Sequence, residues 1–159
     1  MIGFYAGSFD PFTNGHLAIV KKACSCFEKV VIGIGDNTQK TRRIKAAKMK
    51  SAIEETLRRE KIENAIVVIY QGLTTQQAKE NKADILIRGL RNGTDYQYEE
   101  NIAMINEQYA GLDTCYFRAG DLGYLSSSMV MELYSFGKSV QQYVPQAVSE
   151  LLEKERSKR

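Results

Sequence analysis

Five short apolar runs, rich in β-branched residues, punctuate this chain, and each is followed by a segment of helical period. The runs cover residues 2–6, 30–35, 65–70, 84–88 and 114–117. Helical spacing marks 14–27 (Leu17, Val20, Cys24, Phe27), 45–61 (Met49, Ile53, Leu57), 74–81, 95–109, 126–136 and 145–154. Strands apolar on both faces belong to parallel sheets, whose crossovers need helices. The alternation predicts an α/β fold, in which one domain over residues 1–159 forms a doubly wound (Rossmann-like) five-stranded parallel sheet. Helices cover both faces, and further helices close the C-terminus. Ligands of such sheets bind beyond the carboxyl ends of the strands, where strand order switches. Ser8, residues 36–40, residues 72–74 and Arg88 all fall at strand ends in this reading.

A chain of 159 residues, 43% hydrophobic and 26% charged, can bury a core and is not a disordered composition. Its net charge of +3 is too slight to imply a nucleic-acid partner, though it permits a local basic pocket for a small anion. No apolar run approaches a membrane span, and the first residues enter a strand with no signal-peptide pattern. Cys24, Cys26 and Cys115 suggest neither a zinc site nor a disulfide framework, so a cytoplasmic protein is expected. The charged tail over residues 153–159 reads as a solvated helix end.

The join between the first strand and the first helix carries the chemistry. It runs Gly7-Ser8-Phe9-Asp10-Pro11-Phe12-Thr13-Asn14-Gly15-His16 and holds the only histidine. Gly7 allows a tight turn, Ser8 offers a hydroxyl, and Thr13 or Asn14 caps the helix. His16 stands in the first turn, where free N–H groups attract phosphate. A capping histidine at a tight turn is the plainer alternative. Gly33-Ile34-Gly35 lacks the third glycine of a dinucleotide fingerprint and reads as strand-end packing.

Two further constellations point the same way. In Arg88-Gly89-Leu90-Arg91, followed by Asp95, Tyr98 and Glu99, a strand-end guanidinium suits a phosphate. An internal Arg–Glu salt bridge accounts for one of these arginines more readily than for both. Ser126, Ser127 and Ser128 open a helix; one is an N-cap, and the three together suit a polyphosphate. Lys40, in a polar stretch after the second strand, reads by itself as a surface lysine.

Together these residues resemble the nucleotidyltransferase superfamily, and within it the phosphopantetheine adenylyltransferases. Thr13-Asn14-Gly15-His16 carries a threonine where related families have a histidine. The central run from Arg88 to Glu99, with Ile102, Ala103 and Asn106, and the serine triplet are similar to that family's signatures. The resemblance implies adenylyl transfer from ATP to 4′-phosphopantetheine, giving dephospho-coenzyme A and pyrophosphate. By position it implies His16 as transition-state stabiliser, with Lys40 and Arg88 also catalytic. It implies ATP contacts at Ser8, Phe9, His16, Gly89, Leu90, Arg91, Glu99, Leu122, Gly123, Tyr124, Leu125, Ser126, Ser127 and Ser128. Ser8, Lys40, Thr74, Arg88 and Asn106 would meet phosphopantetheine. Mg²⁺ would be held mainly by the ATP phosphates, with no protein metal site. Coenzyme A would act as feedback inhibitor, and the assembly would be a homohexamer, a dimer of trimers. The chain departs from the family pattern at 46–49, Gly72, Thr74, Leu122, Met131 and Ser135, away from the opening loop. Two alternatives remain at this stage: another adenylyl- or cytidylyltransferase, or a nucleotide-binding relative without catalysis.

Overall fold

In the computed structural model, which describes residues 1–158, five strands form one parallel sheet in the order β3-β2-β1-β4-β5. They are β1 (Ile2–Gly7), β2 (Lys29–Gly35), β3 (Ala65–Tyr70), β4 (Ile85–Leu90) and β5 (Thr114–Arg118). The chain steps outward from β1 to β3, then returns to place β4 on the other side of β1. Strand order therefore switches between β1 and β4. Their carboxyl ends flank the crevice that such a switch creates.

Alternation along the strands decides which side chain meets which layer. Tyr5, Ile32 and Ile87 face the larger core with α1 (Asn14–Cys26), α2 (Ala46–Arg59), α5 (Ser127–Ser135) and α6 (Gln146–Arg156). Phe4, Val31 and Leu86 face a smaller core that also takes in Ala78 of α3 (Thr74–Glu80). The helix α4 (Gly93–Ala110) packs against β4 and α3 and buries only Glu99 and Ala103. Helices thus cover both faces, as the pattern predicts.

The element ends have local causes. Thr13 caps α1, Asn92 caps α4 by accepting from the Asp95 N–H, and Gly111, at φ 65°, ends α4 in the left-handed region. Gly33 is packing, as its sequence context suggests: a Cβ there would stand 2.4 Å from the Phe4 ring. Two expectations need correction. β4 runs on to Leu90, so Arg88 and Gly89 lie within the strand rather than at its end. The tail is not simply solvated: Glu155 pairs with Lys48 at 2.6 Å, and the Arg156 guanidinium lies 4.5 Å from the Tyr134 ring centre. Arg159, the last residue of that tail, lies outside the described residues.

Candidate active site

A cavity of about 320 Å³ opens at the switch between β1 and β4. Four segments far apart in sequence line it: the opening loop with the start of α1, the end of β4, the first turns of α4, and the 119–128 segment leading into α5. Ser8, Phe9, His16, Arg88, Gly89, Leu90, Arg91, Glu99, Leu122, Leu125, Ser126, Ser127 and Ser128 all stand in its wall. Gly123 and Tyr124 do not, and Tyr124 is exposed.

His16 is both cap and cavity residue. Its Nδ1 accepts from the Thr13 N–H at 3.0 Å, while its own N–H donates to Thr13 Oγ1 at 3.3 Å, closing a capping box. An Nδ1 that accepts leaves the proton on Nε2 in the neutral ring. Burial lowers its pKa from 6.5 to about 4, and Arg91 and Arg88 add to the shift by repulsion. The ring is gripped by Phe12, stacked at 5.6 Å, and by the edge of Phe9 at 5.0 Å. Histidine here is a fixed, neutral N–H donor. The capping histidine of the plainer sequence alternative is present through Nδ1, while Nε2 makes no bond to a described residue.

The opening loop is built to hold that ring. The Phe9 side chain is buried under Tyr5 and Phe12, and folds so closely over Gly7 that a Cβ there would meet it at 2.8 Å. Phe9 itself takes φ 45°. Its buried side chain is an anchor for the loop. Gly15 admits the Leu122 carbonyl, 3.4 Å from where a Cβ would be, and so lets the 119–125 segment close over the start of α1. Asp10 reaches across to the β2–α2 loop, accepting from the Arg43 N–H at 2.8 Å and the Ile44 N–H at 3.0 Å.

Both arginines are paired, although the sequence favours an internal salt bridge for one rather than both. Arg88 donates to both Glu99 oxygens, from Nε at 2.6 Å and Nη2 at 2.7 Å, and from Nη1 to the Ala6 carbonyl at 2.9 Å. A guanidinium has five N–H groups, so two remain for a ligand. Arg91 pairs with Asp95 at 2.8 Å and holds that carboxyl below its usual range. The two pairs tie the end of β4 and the loop after it to the first turns of α4.

The serine triplet divides its labour. Ser126 is the N-cap of α5, accepting from the Met129 N–H at 3.1 Å. Ser127 ties α5 to the opening loop through the Pro11 carbonyl at 2.8 Å. Ser128 is exposed and lines the cavity.

Three expected residues are not brought to this cavity. Lys40 is exposed on the turn after β2, Thr74 bonds the Tyr70 hydroxyl at 2.8 Å, and Asn106 sits half-buried two turns beyond Glu99 on α4. A separate hollow of about 400 Å³, lined by Gly35, Asp36, Tyr70 and Gly72 among others, opens beside Thr74 and the Lys40 turn. Sequence reading also passed over Tyr5, Ala6, Ile19 and Ala119, which line the main cavity. The polar handle of a tyrosine two residues before the turn, in an otherwise apolar strand, is the available signal for the first.

Fold and site together define an α/β nucleotidyltransferase, and residues 4–133 match the family model described as cytidylyltransferase-like. Solved structures agree on the fold. A bifunctional NMN adenylyltransferase/ADP ribose pyrophosphatase from Francisella tularensis superposes with TM-score 0.74 at 16% identity, over 98% of this chain and 49% of that one. A Vibrio parahaemolyticus structure described as a nicotinate-nucleotide adenylyltransferase gives 0.69 at 14% identity, over 95% and 97%. Sequence relatives are much nearer. The phosphopantetheine adenylyltransferase of Cytophaga hutchinsonii is 39% identical over 146 residues, 91% of this chain and 96% of its own length. That of Leuconostoc mesenteroides is 41% identical over 153 residues, 95% and 93% of the two chains, and that of Streptococcus pyogenes 42% over 156, 96% and 94%. The chain belongs to the phosphopantetheine adenylyltransferase family.

Proposed function

We propose that this chain transfers the adenylyl group of ATP to 4′-phosphopantetheine, giving dephospho-coenzyme A and pyrophosphate. The observation that carries the reading is the cavity at the β1/β4 switch, where the neutral His16 N–H, the spare N–H groups of Arg88 and the start of α5 converge in a chain of this family.

The attacking group is already an anionic phosphate, so the reaction needs no protein nucleophile and no strong base. The work is to hold two anions together in line and to meet charge as it develops on the α-phosphate. In this reading Nε2–H of His16 donates to an equatorial oxygen of that phosphate. Arg88 holds the acceptor phosphate with its two free N–H groups, while Glu99 fixes the guanidinium plane. Ser8, Gly89, Leu90, Arg91, Leu125 and Ser126 to Ser128 serve ATP, with pyrophosphate leaving toward α5. Lys40 and Thr74 serve the pantetheine arm from beside the neighbouring hollow and Asn106 from α4, and Lys40 has to swing in to act on the phosphates. Mg²⁺ enters as part of the substrate, bound to ATP oxygens. Among the described residues no three His, Cys, Asp or Glu side chains gather for a metal, and the cavity carboxylates Asp95 and Glu99 are tied to arginines.

Assembly into a homohexamer is part of the same proposal. It is supported by α4, which leaves Met104, Ile105 and Tyr109 exposed along 18 residues. Coenzyme A, which combines an adenine nucleotide with the pantetheine arm, would occupy both hollows as inhibitor. A cytoplasmic site of action follows from the need for ATP; no described helix is long and apolar enough to cross a membrane. Pyrophosphate release tests the reading. It should require ATP with 4′-phosphopantetheine. Release with nicotinamide mononucleotide as acceptor, or with CTP as donor, would replace this reading by another transferase; no release, with nucleotide bound, would leave a binding protein.

A further inference from the structure

One polar group in the cavity has no place in the scheme above. The Tyr5 side chain is only 4% exposed, and its hydroxyl makes no hydrogen bond to any described residue. Nor is that oxygen sealed: the side-chain polar atoms shut away without a partner among the described residues are Arg42 Nη2 and Thr114 Oγ1. Tyr5 lines the cavity, so the hydroxyl opens onto it. The ring is buried while its oxygen, unbonded among the described residues, faces the cavity, where a ligand can be its hydrogen-bond partner.

Its surroundings say what that partner is. Alternation along β1 turns Tyr5 to the α1 face of the sheet, between Phe9, at 5.2 Å between ring centres, and His16, at 6.5 Å. The hydroxyl lies 3.7 Å from where a Cβ on Gly89 would stand, and Ile19 lies 3.3 Å from the same point. A side chain at position 89 would fill the space that separates them, so Gly89 keeps it open. The charged groups near Tyr5, Arg88 and Glu99, are paired with each other, while Arg91 and His16 serve the phosphate side. Burial also raises the Tyr5 pKa, so the phenol stays protonated and can both donate and accept. The Arg88 N–H groups left over from its bonds to Glu99 and Ala6 are committed to the acceptor phosphate, and the hydroxyl, over an apolar floor of Ile19 and Gly89, is left for a neutral polar group.

We infer that the Tyr5 hydroxyl hydrogen-bonds a ribose hydroxyl of the bound nucleotide. It is thus a specificity-determining residue that favours ribonucleotides and sets the sugar over Gly89. The inference rests on the ATP reading of the cavity. The plain alternative is a tyrosine that only fills space, for which phenylalanine would serve as well.

Tyr5→Phe removes the oxygen and keeps the ring, so the fold is retained; thermal melting checks this. Affinity for ATP, 2′-deoxy-ATP and 3′-deoxy-ATP is measured by calorimetry on wild type and variant, with KM and kcat for each nucleotide. In the wild type, loss of one of the two sugar hydroxyls should weaken binding by about fivefold. Tyr5→Phe should weaken ATP by about the same factor, and the same deoxy change should then cost nothing further. KM for the nucleotide should move, while KM for 4′-phosphopantetheine and kcat stay. Multiplying effects of the two changes, or unchanged ATP affinity in Tyr5→Phe, would overturn the assignment. A wild type that binds no adenine nucleotide would instead overturn the transferase reading, and this inference with it.

Discussion

His16 should remain neutral far into acid, and one resonance suffices to show it, because the chain holds a single histidine. Burial, with repulsion from Arg91 and Arg88, takes its pKa from 6.5 to about 4. An unfolded chain keeps the ordinary value. Between the two values the unfolded state binds the extra proton, so stability is lost as pH falls through this window. With those two values, the loss between about pH 7 and pH 5 is about 2 kcal/mol. One edge of the half-buried ring meets solvent in the cavity, which trims this to about 1 kcal/mol. The direct assay is proton NMR of the imidazole through a pH titration. The second assay is urea unfolding of wild type and His16→Gln at both pH values, where the variant should lose less on acidification. In the same scheme His16→Ala should cut turnover by about 10²–10³ with little change in ATP affinity, read by single-turnover kinetics and calorimetry. An imidazole titrating near 6.5, or equal acid sensitivity of His16→Gln, would refute the neutral donor. Full turnover in a folded His16→Ala would remove the residue from the chemistry.

Arg88→Ala should raise KM for 4′-phosphopantetheine more than KM for ATP. It also strands the buried Glu99 carboxylate, at a cost of about 2 kcal/mol given that the guanidinium is itself a third exposed. A normal acceptor KM in a folded Arg88→Ala would move the residue out of the acceptor site. Asp10→Ala frees the Arg43 and Ile44 N–H groups. It should destabilise by about 2 kcal/mol and speed amide exchange at buried Ile44, and unchanged exchange would show that the clamp is dispensable. Gly33→Ala forces a Cβ to 2.4 Å from the Phe4 ring and should cost about 1–3 kcal/mol in thermal melting. An unchanged melt would show that Phe4 has room to move.

Much of the site was legible because its chemistry is local. Thr13 and His16 lie three residues apart, so a capping box can be read from the string itself. Ser126 as an N-cap is legible for the same reason. Lys40 shows the limit. Its charge suits phosphate, but whether it reaches the cavity depends on the path of the β2–α2 loop, which Asp10 sets from 33 and 34 residues away.

The sequence by itself determined the layers, because periods of two and 3.6 sort side chains onto faces without reference to the rest of the chain. It also set glycine, hydroxyl, cap and histidine side by side in the opening loop. Tertiary structure decided what those residues can do. Strand order set the crevice between β1 and β4. The packing of α4 on β4 tied up two of the five Arg88 N–H groups, and burial among Phe9, Phe12 and the two arginines holds His16 neutral. Desolvation and through-space charge act between residues far apart in the chain, as between His16 and Arg91, and no local pattern encodes them.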